Sequence, residues 1–200
     1  MTQTALDLDA IIAAGWADPV TFQLAEYERA VAAYMIQVGK SQRLLCRWRK
    51  ARNQVERWTG YAPWALGSLR LRLGIGTSDL DLAVGCPTDR WLELSMQLEA
   101  HTEPRGEHAT WFGTTRRVFS FTLGAVEVDL SVMAEDDLVA TCRMLDRIDH
   151  DMTEPERIAH WWVKWLLWQQ ERYEEYAAWK LVVYRRFCPE YRPHLELAGP

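Results

Sequence analysis

Two apolar segments of this 200-residue chain carry acidic residues at alternate positions, where a strand buried on both faces would not place them. The segments are "DLDLAV", residues 79–84, and "AVEVDLSVM", residues 125–133. Successive side chains of an extended backbone fall on opposite faces. Leu80 and Leu82 then share one face and Asp79 and Asp81 the other. In the second segment Val126, Val128, Leu130 and Val132 share a face, opposite Glu127, Asp129 and Ser131. Acidic residues are poor strand formers, so this pattern predicts two adjacent strands that pool Asp79, Asp81 and Asp129 on one wall. Carboxylates that close repel unless a cation lies among them, which predicts a divalent metal site.

Upstream lies a Gly67-Ser68 turn, followed by Gly74-Ile75-Gly76. The latter suggests a dinucleotide fingerprint, but no helix follows and no G-x-G-x-x-G is completed. A P-loop is excluded because no Gly-Lys-Ser/Thr occurs.

Around these motifs the periodicity is mostly helical. Residues 21–38 form one helix, with Phe22, Ala25, Val31, Tyr34 and Val38 at helical spacing; Gly39 reads as its stop and Ser41 as a fresh N-cap. The next helix, residues 42–58, buries Leu44, Leu45, Trp48, Ala51, Val55 and Trp58. Its other side carries Arg43, Arg47, Arg49, Lys50 and Arg52, as a solvated face or a nucleic-acid contact. "APWALGS" reads as a short buried strand ending in a turn, and "DRWLELSMQLEAH" as a helix capped by Thr88 or Asp89. β pattern begins near Ala109 with "ATWFG" and continues through "RRVFSFTLG" and "AVEVDLSVM", joined by a hairpin turn at Leu123-Gly124-Ala125. "EDDLVATCRMLDRI" returns to helix. Thr153-x-x-Glu156 is a capping box with Pro155 in the first turn, opening helix that runs to about Phe187, with Pro189 and Pro193 marking its end.

The expected fold is α/β (α+β): a mixed β-sheet flanked by helices, with an N-terminal helical segment and a C-terminal helical appendage. Residues 1–152 form the core with its N-terminal helices and residues 153–200 the appendage, or the two make one continuous domain. With 48% hydrophobic residues the chain can bury one sizeable core. A net charge of -5 argues against a surface that traps nucleic acid over its whole extent, while local basic patches remain open. No apolar run has the roughly 18 residues needed to span a bilayer, and the N-terminus lacks a secretory pattern, so a cytoplasmic protein with no membrane partner is expected. Cys46, Cys86, Cys142 and Cys188 lie far apart without a C-x-x-C pair, as suits reduced thiols.

"GSLRLRLGIGTSDLD", with "VEVDLSV" as a later acidic strand, resembles the catalytic core of the polymerase-β-like nucleotidyltransferase superfamily. Its signature is Gly-Ser, a spacer, Asp-x-Asp and a third Asp on a later strand, and the spacing here is most similar to that of poly(A) polymerases and terminal uridylyltransferases. The likeness extends over residues 62–148. It implies that Gly67 and Ser68 hold the triphosphate of an NTP through backbone N–H groups and the hydroxyl. It implies that Asp79 and Asp81 bind two Mg²⁺ ions, or Mn²⁺, with Asp129 sharing one and helping to take the acceptor's proton. Many members have a second glycine where this chain has Arg72, which is then either a phosphate contact or a solvated arginine. Lys164 and Lys180 are candidates for the helical lysine that reaches the triphosphate in related enzymes, against a solvated reading. His160 reads as a helix-surface residue without metal-ligand spacing. Trp161, Trp165 and Trp168 read as a core or subunit-interface stripe, which brings in a homodimer, or else as a base-stacking platform.

The implied activity is transfer of an NMP from an NTP to a hydroxyl, with release of pyrophosphate. The acidic composition and short appendage give a small-molecule or protein acceptor the edge. The basic helix and the polymerase-type spacer favour the alternative, an RNA 3′ end. A third reading is a nucleotide-binding or interaction module without turnover.

Overall fold

The strands bearing Asp81 and Asp129 are neighbours, paired in parallel with these two residues directly opposite each other. The computed structural model describes residues 6–75, 79–110 and 114–189. Its sheet has five strands, β1 (Trp64–Ala65), β2 (Leu80–Cys86), β3 (Glu103–Ala109), β4 (Thr115–Leu123) and β5 (Val126–Ala134), in the order β1-β2-β5-β4-β3. Only β2 and β5 run parallel; the other pairs are antiparallel. The helices are α1 (Leu8–Ala14), α2 (Leu24–Thr59), α3 (Gly67–Arg70), α4 (Trp91–Glu99), α5 (Glu135–Asp151), α6 (Glu154–Gln169) and α7 (Tyr173–Phe187).

The alternation read from the sequence sorts the core into two layers. Leu80, Leu82, Val128, Leu130 and Val132 pack against Ala51 and Val55 of α2 and Leu94 and Leu98 of α4. On the opposite face Ala83 and Met133 join Leu71, Leu73 and the apolar sides of α5, α6 and α7. This is the mixed, helix-flanked sheet expected.

Helix α2 corrects the break expected at Gly39 and Ser41, because it continues through both. Its two halves are anchored in different layers: Ala30 and Tyr34 in one, Ala51 and Val55 in the other. An interior glycine costs about 1 kcal/mol, less than burying a residue such as Tyr34 or Val55 returns. Leu45, expected inside, is 48% exposed because it lies on the span between the two layers. The side chain of Leu44 lies outside the described residues.

Strand β3 begins six residues before the expected onset at Ala109. Its sequence, EPRGEHA, contains a proline and a glycine and has no apolar alternation. It is an edge strand whose residues 103–108 are all exposed, so nothing in its burial writes a pattern into the sequence. The expected "ATWFG" strand is represented only by Ala109, at the end of β3; residues 111–113 lie outside the described residues.

The C-terminal helical run divides into α6 and α7, with Glu171 at φ 58° in the turn. The capping box at Thr153 forms, Thr153 N–H donating to Glu156 Oε2 at 2.9 Å. Helix α6 then holds the segment after α3 through three side chains on one stripe. Arg157 donates to the Leu71 carbonyl at 2.7 Å, Trp161 to that of Gly74 at 3.1 Å, and Lys164 to that of Leu73 at 3.2 Å.

Arg72 has φ 59°, the left-handed region that glycine occupies without a Cβ penalty. Its guanidinium pairs with Asp149 at 3.0 Å, with the arginine side chain 57% exposed. Arg72→Gly removes a backbone penalty of about 1–2 kcal/mol and gives up an exposed pair worth about 0–1 kcal/mol. Thermal melts are expected to place Arg72→Gly at or slightly above wild type, and Arg72→Val below it.

Candidate active site

Gly67 opens α3 directly after β1, with φ 53°. A Cβ at this position would collide with the Asp81 carboxylate. The preceding Leu66 N–H donates to the Asp81 carbonyl at 2.8 Å, fixing the Gly-Ser turn against the acidic strand. Gly67→Ala therefore meets both a left-handed backbone penalty of about 1–2 kcal/mol and a clash with Asp81. Its melting temperature is expected to fall in thermal melts against wild type.

The structure brings Asp79, Asp81 and Asp129 together, with one oxygen of each within 4.8 Å of the others. Asp79 is exposed, while Asp81 and Asp129 are partly buried. Burial, then the Asp79 charge, raises the Asp81 pKa, against the pull of Lys180, Lys164 and Arg116. Asp129 is pushed up to about 6 by burial, then by Asp79, Asp81 and Glu127, with Arg105 opposing. The excess of negative charge and the all-oxygen donor set fit a hard divalent cation such as Mg²⁺ or Mn²⁺.

Ser68 is gripped from the other side. Its hydroxyl accepts from Lys164 Nζ at 2.6 Å and hydrogen-bonds with Tyr176. Lys164 is 2% exposed. Burial, then the Lys180 charge, lowers its pKa to about 8. It also sits 5.3 Å from the Tyr176 ring centroid and 5.6 Å from that of Trp168. Burial and the Asp81 charge push the Tyr176 hydroxyl upward, so it stays protonated. Lys180, on α7, is partly exposed and close enough for its charge to act on both Asp81 and Lys164. Thus Gly67, Ser68, Lys164 and Lys180 gather around the carboxylates, whereas Arg72 turns to Asp149.

His160 is a core residue rather than a helix-surface one, at 1% exposure. Its ring stacks on Trp179 at 4.6 Å, and burial, then Lys164, Lys180 and Arg157, lower its pKa to about 3. Trp161 is buried, and Trp165 and Trp168 are partly buried against the same core. Tyr176 and Arg157 were not singled out by sequence. Neither belongs to a local motif, and each acquires its role by reaching across to the Gly-Ser segment.

No family model and no curated protein matches the chain. Among solved structures it is similar to Cid1 in complex with its short product ApU, with a TM-score of 0.51 and 16% identity over 80% of this chain and 51% of that one. It is also similar to the GLD-2/RNP-8 complex, with a TM-score of 0.52 and 13% identity over 86% of this chain and 70% of that one. The chain thus spans about half the length of the Cid1 chain, at 51%. Among the described residues no helix is long and apolar enough to cross a membrane. Sheet order, helical layers and these two likenesses agree that the chain shares its fold with the Cid1 and GLD-2 structures.

Proposed function

We propose that this chain is a Mg²⁺-dependent nucleotidyltransferase that moves an NMP from an NTP to the 3′ hydroxyl of RNA. The observation that carries the reading is the convergence of Asp79, Asp81 and Asp129 beside a Ser68 hydroxyl held by a buried lysine. Composition alone favours a small-molecule or protein acceptor. The fold shared with Cid1, whose short product is ApU, supports the RNA end instead.

Asp79, Asp81 and Asp129 would hold two Mg²⁺ ions, or Mn²⁺, whose chemistry is to acidify the acceptor hydroxyl and to stabilise charge on departing pyrophosphate. The Gly67 and Ser68 backbone N–H groups and the Ser68 hydroxyl bind the triphosphate. Lys164, with a pKa lowered to about 8, is mostly protonated at neutral pH and supplies positive charge beside Ser68. Lys180 adds a second cation near Asp81. Arg72 keeps Asp149 rather than a phosphate as its partner. The Asp129 carboxylate accepts the proton of the attacking hydroxyl. A bond forms from that oxygen to the α-phosphorus, and the bond from phosphorus to the pyrophosphate oxygen breaks. Helices α6 and α7 complete the phosphate side of the site, so residues before and after 152 act as one catalytic unit.

The test is incubation of the protein with labelled NTPs, Mg²⁺ and single-stranded RNA. Extension of the 3′ end in a Mg²⁺-dependent manner is expected, and Asp129→Asn should remove it. Turnover on a small hydroxyl acceptor but not on RNA would return the reading to the small acceptor. Absence of NTP binding would leave a module that only shares the fold.

A further inference from the structure

Helix α2 is 36 residues long, and its buried anchors lie toward its two ends. Between Tyr34 and Ala51, a rise of about 25 Å, none of the described side chains is buried. The span holds Ile36, Val38 and Gly39, all weak helix formers. A stretch of this length gains little stability as an isolated helix in water, so it depends on packing against another element.

The apolar side chains left outside are ordered. Leu24, Val31, Val38 and Leu45 recur every seven residues, and Met35 falls four after Val31 and three before Val38. These are the two seam positions of a heptad, the spacing with which one helix packs along another. Leu24, Met35, Val38 and Leu45 are 43–74% exposed, and Val31 is half-buried. Ile36 is as exposed as Met35 but stands about 100° round the helix from it, on the side away from Val38. The tryptophan stripe of α6 packs against the core instead, so the open apolar seam belongs to α2.

Charge says what covers it. Residues 24–38 carry Glu26, Glu28 and Arg29, whereas residues 40–58 carry seven basic residues and one acidic residue, Glu56. Two α2 helices side by side in parallel would stack the basic halves on each other. An antiparallel pair sets each basic half against the half that holds Glu28. Glu28 and Arg49 share the heptad position of Met35, are exposed, and make no ion pair with another described residue. With Met35 of each helix against Val38 of the other, Glu28 lies opposite Leu45 and one turn from Arg49 of the second copy.

We infer that the seam of Leu24, Val31, Met35, Val38 and Leu45 is the interface of a symmetric dimer, in which α2 packs antiparallel on α2 of a second copy of this chain. The contact is isologous, so each pairing occurs twice. A single helix pair lies at the small end of specific interfaces, which sets the expected Kd on the order of micromolar.

The test is sedimentation equilibrium of the full chain across that concentration range. Wild type is expected to pass from monomer to dimer, with a melting temperature that rises with concentration. Met35→Glu is expected to weaken association about tenfold or more, because it sets two like charges in the apolar centre of the contact. Ile36→Ser is expected to leave association unchanged. Glu28→Arg should weaken it about three- to tenfold, and Glu28→Arg together with Arg49→Glu should restore it, as antiparallel pairing requires. These substitutions fall on exposed positions away from the carboxylate triad, so NTP binding is expected to stay at the wild-type level in each. A wild-type chain that is monomeric at every concentration would overturn the inference. So would a dimer that survives Met35→Glu, or one that the charge swap fails to restore. A monomer whose binding to single-stranded RNA is lost in Arg49→Glu would overturn it in favour of a nucleic-acid face on α2.

Discussion

Asp81→Asn is expected to abolish nucleotidyl transfer while making the metal-free protein more stable. A metal site contributes several kcal/mol of transition-state stabilisation, so loss of a ligand lowers the rate by about a thousandfold or more. The gain in stability follows from the electrostatics of the empty triad. Burial and the Asp79 charge raise the Asp81 pKa, so its ionised form destabilises the fold, and the isosteric amide carries no charge. Asp129 makes the same point as a function of pH. Its pKa is raised to about 6 from 3.8. A carboxylate with a raised folded-state pKa contributes stability that is present below its unfolded pKa and lost as pH rises through the folded one. The metal-free melting temperature is therefore expected to fall between about pH 4 and pH 6, by an amount equivalent to about 1–3 kcal/mol after solvent screening. Mg²⁺ should restore it increasingly above pH 6, and melts across this range with and without the ion read both effects. A melting temperature that rises over this interval without metal would contradict the assigned charge balance.

Arg157→Ala is expected to be the most destabilising of the single substitutions considered. The guanidinium is 1% exposed and meets Asp149 at 2.8 Å and the Leu71 carbonyl at 2.7 Å, with further bonds to the Asp149 and Met152 carbonyls. Asp149 is 31% exposed and keeps Arg72, so the cost lies mainly in the three carbonyls that lose a charged donor. Together these cost about 3–5 kcal/mol, which for a chain of this size lowers the melting temperature by on the order of 10 °C. Arg157→Lys keeps the charge but not the planar fork that serves several acceptors, and should recover only part of the loss. Because Arg157 holds Leu71, the variant should also bind NTP less tightly at temperatures where it is still folded. Since one buried cluster runs through α1, α2, α5, α6 and α7, unfolding is expected as a single transition.

The parts of the fold that burial writes into sequence were readable there. Strands β2 and β5 alternate because one face packs on α2 and α4, and the same alternation delivers the three aspartates to the opposite face. The capping box at Thr153 was readable because its two hydrogen bonds join residues three apart. Strand β3 was not, since an exposed edge leaves no apolar signature. The continuity of α2 was hidden because local breaker residues are outweighed by packing at both ends. At the candidate site the local motifs announced themselves, whereas Tyr176 and Arg157 acquire roles through contacts 86 to 108 residues away in sequence. Arg72 illustrates an intermediate case. Its position, a glycine in many members of the superfamily that the motif resembles, has in this chain a left-handed backbone that Arg72 adopts while its side chain pairs with Asp149.

The most direct measurement is calorimetric titration of the wild-type chain and Asp81→Asn with non-hydrolysable NTPs in the presence of Mg²⁺. Wild type is expected to bind at least one NTP in a manner that requires the ion, and Asp81→Asn to lose that binding while remaining folded. A wild-type chain that binds none of them, or an Asp81→Asn variant that binds as tightly, would contradict a nucleotide site built on the three carboxylates.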